Sequence, residues 1–231
     1  FAAWCLRRNS VPATTRNTIN ALLKIARTNN CQSADSRLKK GTLLDLRNQN
    51  ISDIRPLASL TQLVHLWLGQ NQISDIKPLT NFTNLLNLNL NDNRISDLKP
   101  LAKLTQLTTI RLNNNRISDL RPLAGLTSVY NLNLDNNQIS DLRPLASMTR
   151  LGNLYLEKNR ITDVKPLVAL SGIMRNLVLS SNQITDIQPL AALRKIEQLH
   201  VRNNPLTDKT CPIKRGNDLI YGIPFSVCRF D

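Results

Sequence analysis

Between Gly41 and Asp208 the aliphatic positions fall into one phrase that keeps returning. Leu63, Leu66 and Leu68 lead to Asn71 and Ile73; Leu85, Leu88 and Leu90 lead to Asn93 and Ile95; Leu107, Ile110 and Leu112 lead to Asn115 and Ile117. The alternation in the first half of each phrase predicts a short strand with one buried face. The second half, NQISDIKPL at Asn71–Leu79, cannot continue as sheet. Its proline lacks an amide donor, fixes its own φ and pushes the residue before it out of the α region. Each phrase therefore predicts a strand, a tight corner and a compact non-strand return.

The asparagine recurs at Asn71, Asn93, Asn115, Asn137, Asn159 and Asn182, in steps of 22 residues four times and then 23. A weaker copy starts at Gln49 and a degraded one at Asn204, which makes eight units. One unit cannot enclose its own leucines, whereas stacked units can, so the period predicts an α/β solenoid with strands side by side at roughly 4.8 Å. The asparagines Asn71 to Asn204 are then expected to form a polar ladder inside the corners, each amide bonded to backbone groups that no strand satisfies. The aspartates Asp53, Asp75, Asp97, Asp119, Asp141, Asp163 and Asp186 invite a calcium reading. An Asx-type turn is the better expectation, with each carboxylate accepting the i+2 amide. Six of them are followed two residues later by Arg55, Lys77, Lys99, Arg121, Arg143 and Lys165, which offset the charge. No metal site is expected, because a hard cation needs six or more oxygens converging on one point.

The stretch Leu63–Thr83, LxxLxLxxNxIxDIxPL followed by the next turn, resembles the 22-residue leucine-rich repeat of bacterial internalins and of the phosphatase-regulating eukaryotic class. The resemblance implies a right-handed, curved solenoid with parallel strands on the concave face and 3₁₀-type turns on the convex one. It implies binding rather than catalysis. Two departures stand out: Gln49 replaces the ladder asparagine in the first unit, and an extra residue near Ser171–Ile173 predicts a bulge outside the strand.

A solenoid has open ends that must be covered. Residues 1–40 read as a helical N-terminal cap: Ile19, Leu22, Leu23 and Ala26 give one apolar helical face, with start signals at Pro12 and Thr14 or Thr15, and Cys31, Ala34 and Leu38 give a second, shorter one. Residues 41–208 are the eight repeats, and residues 209–231 read as an irregular C-terminal cap, all in one continuous domain. Four cysteines allow three pairings. The stack holds the ends tens of ångströms apart, so Cys5–Cys31 and Cys211–Cys228 are the pairings within reach, one per cap. Disulfides point to an oxidising compartment and hence to a secreted, periplasmic or cell-surface protein; a cytoplasmic location is the alternative. No stretch has the ~18 apolar residues of a membrane helix. The first residue is Phe1 rather than methionine, as in a processed product.

The net charge is +14, and half of it sits on residues 1–40, where eight Lys and Arg face a single acid, Asp35. Such a cap could attract a polysaccharide or another anionic surface. No nucleic-acid motif accompanies the charge, and basic residues are not interleaved with aromatics, which argues against nucleic acid.

No phosphate loop, HExxH or GxSxG occurs, and the two histidines, His65 and His200, lie six units apart, roughly 29 Å at strand spacing. Neither an enzyme nor a cofactor is expected. Singular residues appear instead on the outward positions of the strands, where the repeat fixes nothing. One row reads Asp45, Trp67, Asn89, Arg111, Asn133, Tyr155, Val178, His200; its neighbour runs from Leu43 and His65 through Asn87, Asn131, Asn153 and Asn176; a third carries Val64, Leu86, Tyr130, Gly152 and Arg175. The fold gives an outward tryptophan no packing role, and Trp, Tyr and Arg are the usual interface anchors. The expectation is a monomeric, non-enzymatic module that binds a protein partner through His65, Trp67, Asn89, Arg111, Tyr130, Asn133, Tyr155 and His200. Binding of a carbohydrate or anionic polymer, and intracellular regulation of an enzyme such as a phosphatase, are the alternatives.

Overall fold

The computed structural model describes residues 1–213 and 228–230 of the 231-residue chain. Among the described residues nine strands form one parallel sheet in sequence order: β1 (Leu43–Asp45), β2 (His65–Trp67), β3 (Asn87–Asn89), β4 (Thr109–Arg111), β5 (Asn131–Asn133), β6 (Asn153–Tyr155), β7 (Asn176–Val178), β8 (Gln198–His200) and β9 (Cys228–Arg229). The sheet is open, and each strand is only two or three residues long. The register advances by one repeat per strand, so Leu44, Leu66, Leu88, Ile110, Leu132, Leu154, Leu177 and Leu199 stack in a single buried row.

Opposite the sheet, seven 3₁₀ segments begin at Arg55, Lys77, Lys99, Arg121, Arg143, Lys165 and Gln188, each with its proline in the first turn. Proline is tolerated there because the first amides of a helix have no internal partner. The leucine after each proline is buried, which closes the core from the convex side. The extra residue of the sixth unit is absorbed here: the segment Lys165–Leu170 lengthens to six residues and runs into a turn, while Asn153 still pairs with Asn176.

Between strand and return, the chain reverses at a residue with φ between 53° and 58°: Asn48, Gln70, Asp92, Asn114, Asn136, Lys158, Ser181 and Asn203. Left-handed backbone is costly for residues other than Gly, Asn and Asp. The next residue, the ladder asparagine, secures that corner. Asn137 Nδ2 donates to the carbonyls of Leu112, Leu134 and Asp135 at 3.0–3.1 Å, and its Oδ1 accepts from Ile117 N–H at 2.9 Å. Two of those four partners belong to the preceding coil, so each ladder residue joins its coil to the one before. Gln49 cannot do this: its Nε2 donates to the nearby Arg47 and Asn48 carbonyls, and the ladder starts at Asn71, whose Oδ1 receives Gln49 N–H and Ile51 N–H.

The aspartates make Asx-type turns, as at Asp97, whose Oδ1 accepts Lys99 N–H at 2.9 Å. The charge offset by the basic residues is uneven. Arg55, Arg121 and Arg143 each grip their aspartate through Nε and Nη2, whereas Lys77, Lys99 and Lys165 make no such ion pair. An ammonium lacks the planar fork that spans a carboxylate at this short separation.

Three helices precede the first strand: α1 (Ala2–Leu6), α2 (Ala13–Ala26) and α3 (Cys31–Lys40). The first was not anticipated from sequence; five residues are too few for a helical period to show. Of the expected start signals, Pro12 is the N-cap of α2, but Thr15 is not a cap. Its hydroxyl, buried, donates to the Asp53 carboxylate, and Thr18 donates to the Asp53 carbonyl at 2.6 Å, fastening the helix to the first coil. Disulfides join Cys5 to Cys31 and Cys211 to Cys228. Within the cap expected of residues 209–231, β9 lines the outer edge of β8, with Val201 N–H donating to Arg229 C=O at 3.0 Å. Residues 214–227 of that expected cap lie outside the described residues.

Candidate functional site

Successive residues of a strand point to opposite faces, so the leucines of the buried row leave their neighbours on the open, concave side. The pairing places Trp67 between Asp45 and Asn89, and runs on through Arg111, Asn133, Tyr155 and Val178 to His200. Seven of the eight expected surface residues thus share one face, in two strand rows, while Tyr130 belongs to the row immediately before the strands, where its ring meets Gly152 of the next coil. All eight are half-buried except Arg111, which is exposed.

Trp67 is not without packing, contrary to the sequence reading. The Arg47 guanidinium lies over its ring at 4.8 Å. Arg47 is itself held by Asp45, through Nε to Oδ1 at 2.9 Å and Nη2 to Oδ2 at 2.7 Å. Hydrogen bonding to Arg47 lowers the Asp45 carboxyl below its ordinary value, despite some burial. Tyr130 is fixed differently, its ring lying directly on Gly152. Both aromatics are therefore pre-set rather than free to rotate.

The asparagines divide into two kinds. Asn89 and Asn133, near the strand ends, turn their Oδ1 back to the amides of Asn91 and Asp135 at 3.0 and 2.9 Å. Asn131, Asn153 and Asn176 instead link side chain to side chain across three coils, and Asn87 Nδ2 lies 2.7 Å from His65 Nδ1. At the far end, burial, together with Arg229 and Arg202, pushes the His200 imidazole below its ordinary pKa, and its Nε2 is buried without a hydrogen-bond partner among the described residues.

The sequence reading missed a further row on this face, two residues beyond each outward strand position: Arg47, Gly69, Asn91, Asn113, Asp135, Glu157, Ser180 and Arg202. Within it Asp135 is a half-buried acid. Burial raises its pKa and the Glu157 carboxylate adds to the rise, against hydrogen bonds from Glu157 N–H and Asn133 that lower it. The signal is in the sequence, since the period-two alternation continues past the strand ends. Among the described residues no three His, Cys, Asp or Glu side chains gather as metal ligands, and no helix is long and apolar enough to cross a membrane.

An open stack of leucine coils with a varied parallel sheet on one face defines a repeat-type interaction scaffold. Family models described as leucine-rich repeats match residues 42–81 and 83–125, in pairs, and residues 123–213. The chain belongs to the leucine-rich repeat family. Internalin C2 from Listeria monocytogenes is similar in structure, with a TM-score of 0.68 and 29% identity over 78% of this chain and 90% of that one. A leucine-rich repeat protein of Leptospira interrogans gives a TM-score of 0.66 and 25% identity over 76% of this chain and 52% of its own. No curated protein matches the sequence significantly. Proteins of this kind are in general interaction modules, and the solenoid is typically a non-enzymatic scaffold.

Proposed function

We propose that this is an exported recognition protein that takes a protein partner on its concave face, around Trp67, Arg111, Tyr130 and Tyr155. The observation that carries the reading is a contrast within one chain. Core, corner and return are nearly identical from unit to unit, while the concave positions hold Trp, Arg, Tyr, His and Asn in no repeating order. Side chains that the fold does not need are the ones free to be chosen for contact. The aromatics also begin ordered, Trp67 beneath Arg47 and Tyr130 upon Gly152, which lowers the entropy lost on binding. Two disulfides favour an extracellular or surface setting over the intracellular regulator.

The test is capture from the native extracellular milieu by the wild-type chain and by Trp67→Ala and Tyr155→Ala variants. A partner held by the wild type and lost by both variants, with the far-UV circular dichroism unchanged, supports the reading; equal capture by all three removes this face from consideration. A polysaccharide is the second reading, favoured by the line of carboxamides from Asn131 to Asn176. Retention on a neutral glycan matrix, abolished by Asn153→Leu and insensitive to salt, distinguishes it from attraction to the basic N-terminal region.

A further inference from the structure

The two ends of the sheet are finished differently. At the far end, β9 occupies the outer edge of β8. At the near end, β1 has β2 as its one strand partner among the described residues. Amides and carbonyls of alternate residues in a strand point to opposite edges. Leu46 N–H donates to Trp67 C=O, so Leu46 and, by alternation, Leu44 face β2. The main-chain groups of Leu43 and Asp45 therefore point away from the sheet, on an edge with no covering strand. Exposed edges of this kind are usually blunted by charge, proline or a bulge. Here one of the two edge residues is Leu43, which is 49% exposed, and the charge of the other, Asp45, is engaged by Arg47.

A cavity of about 320 Å³ opens beside that edge, between the last turn of α2, the end of α3 and the first coil. Ile25, Leu43, Leu44, Leu60 and Leu63 give it apolar walls, and Ile25 is 42% exposed. Arg27 and Arg37 stand at the same opening. Arg37 is anchored through Nη1 to the carbonyls of Ala26 and Arg27 at 2.9 and 3.2 Å, and its other guanidinium donors have no partner among the described residues. Neither arginine has a carboxylate partner among the described residues.

We propose that the outer edge of β1 and the adjoining cavity form a second docking site, at the near end of the sheet and apart from the Arg111–Tyr155 stretch of the concave face, for an extended acidic segment of a partner protein. The segment adds alongside β1, pairing its main chain with Leu43 and Asp45, seats an apolar side chain in the cavity and sets carboxylates against Arg27 and Arg37. Strand addition of this type takes affinity from main-chain hydrogen bonds and specificity from alternate side-chain pockets. Charge decides the occupant. Residues 1–40, which supply Ile25, Arg27 and Arg37 to the site, carry eight Lys and Arg against one acid, so a second copy of this chain would bring like charge to like, whereas an acidic segment is attracted.

The probe is a short capped, fluorescein-labelled peptide in which glutamate alternates with valine and leucine, titrated into the whole chain by fluorescence anisotropy. Saturable binding is expected, with slowed amide exchange at Leu43 and Asp45. Leu43→Asp and, independently, Ile25→Glu should each weaken binding about tenfold, since both put a carboxylate where an apolar group docks. N-methylation of alternate peptide amides should abolish binding, and Tyr155→Ala should leave it unchanged, which keeps this site distinct from the Arg111–Tyr155 stretch. No binding by the parent peptide, equal binding by its N-methylated form, or indifference to both substitutions overturns the proposal. A concentration-dependent dimer that Leu43→Asp dissolves assigns the edge to a second copy and overturns it equally.

Discussion

The ring of Tyr130 lies on the backbone of Gly152 in the next coil: a methyl group placed on Gly152 would stand 2.3 Å from both Cε2 and Cζ and 2.7 Å from the hydroxyl. No side chain fits there unless the ring leaves. Gly152→Ala therefore swings Tyr130 away from the sheet. The displaced group is a surface side chain rather than backbone, so folding stability should fall by about 1 kcal/mol or less. Contact with a concave-face partner depends on the ring's position and should suffer as much from Gly152→Ala as from Tyr130→Ala. The double variant should be no worse than either single one, which binding titrations of the three variants check.

The ladder offers a sharper test of stability. Asn137→Ala strips partners from the Leu112, Leu134 and Asp135 carbonyls and from Ile117 N–H, in a buried corner. Each buried polar group left unpaired costs about 1–3 kcal/mol, so a loss of about 3 kcal/mol or more is expected in urea unfolding. Asn71→Ala, in a half-buried corner where water can reach the orphaned groups, should cost less. Equal losses at the two positions would mean that burial is not what makes the ladder matter.

How much of this was legible follows from what repeats. Leucine, asparagine and proline positions recur because every coil must close on the same core, and from Asn71, Pro78 and their equivalents the coil, its corner and its convex return could be read directly. The contacts of single residues could not. Nothing periodic ties Thr15 to Asp53, or lays Arg47 over Trp67, because each joins residues whose neighbourhood exists only after stacking. The β9 strand was hidden for the same reason: two residues carry no alternation, and Cys228 reaches the edge of β8 through its bond to Cys211. Gly152 was visible as a singular residue in its row, but its role appears only once the Tyr130 ring is known to lie on it.

That tether predicts a specific failure. Cys228→Ser with Cys211→Ser releases β9 while leaving the eight inner strands and the ladder intact. Far-UV circular dichroism should change little. The β8 edge, with Val201 N–H now unpaired, becomes available to other chains. Light scattering should rise with protein concentration in this variant and stay flat in the wild type. The same pair of substitutions at Cys5 and Cys31 should lower the unfolding free energy by about 2–4 kcal/mol, read from urea unfolding, without that self-association.

Asp119 and Asp141 on the convex side and Asp135 on the concave side respond to pH in opposite directions. On the convex side, hydrogen bonds from Arg121 and Arg143 hold Asp119 and Asp141 below the ordinary carboxyl value. A depressed carboxyl gives stability that is present above its unfolded pKa of about 3.9 and is lost as pH falls through the lower folded one. Both pairs are solvent-exposed, so this loss is shallow and screened by salt. On the concave side burial raises Asp135, helped by Glu157. A raised carboxyl contributes stability that is fully present below about pH 3.9 and is lost as pH rises through the folded value, so the carboxyl of Asp135 makes the fold less stable at neutral pH than in acid. Asp135→Asn keeps an oxygen for Glu157 N–H and removes the charge. The variant should have a higher urea midpoint than the wild type at pH 7, and the two midpoints should converge in acid below about pH 4. A variant less stable at pH 7 would show that the Asp135 carboxylate gains more from its hydrogen bonds than it loses to burial.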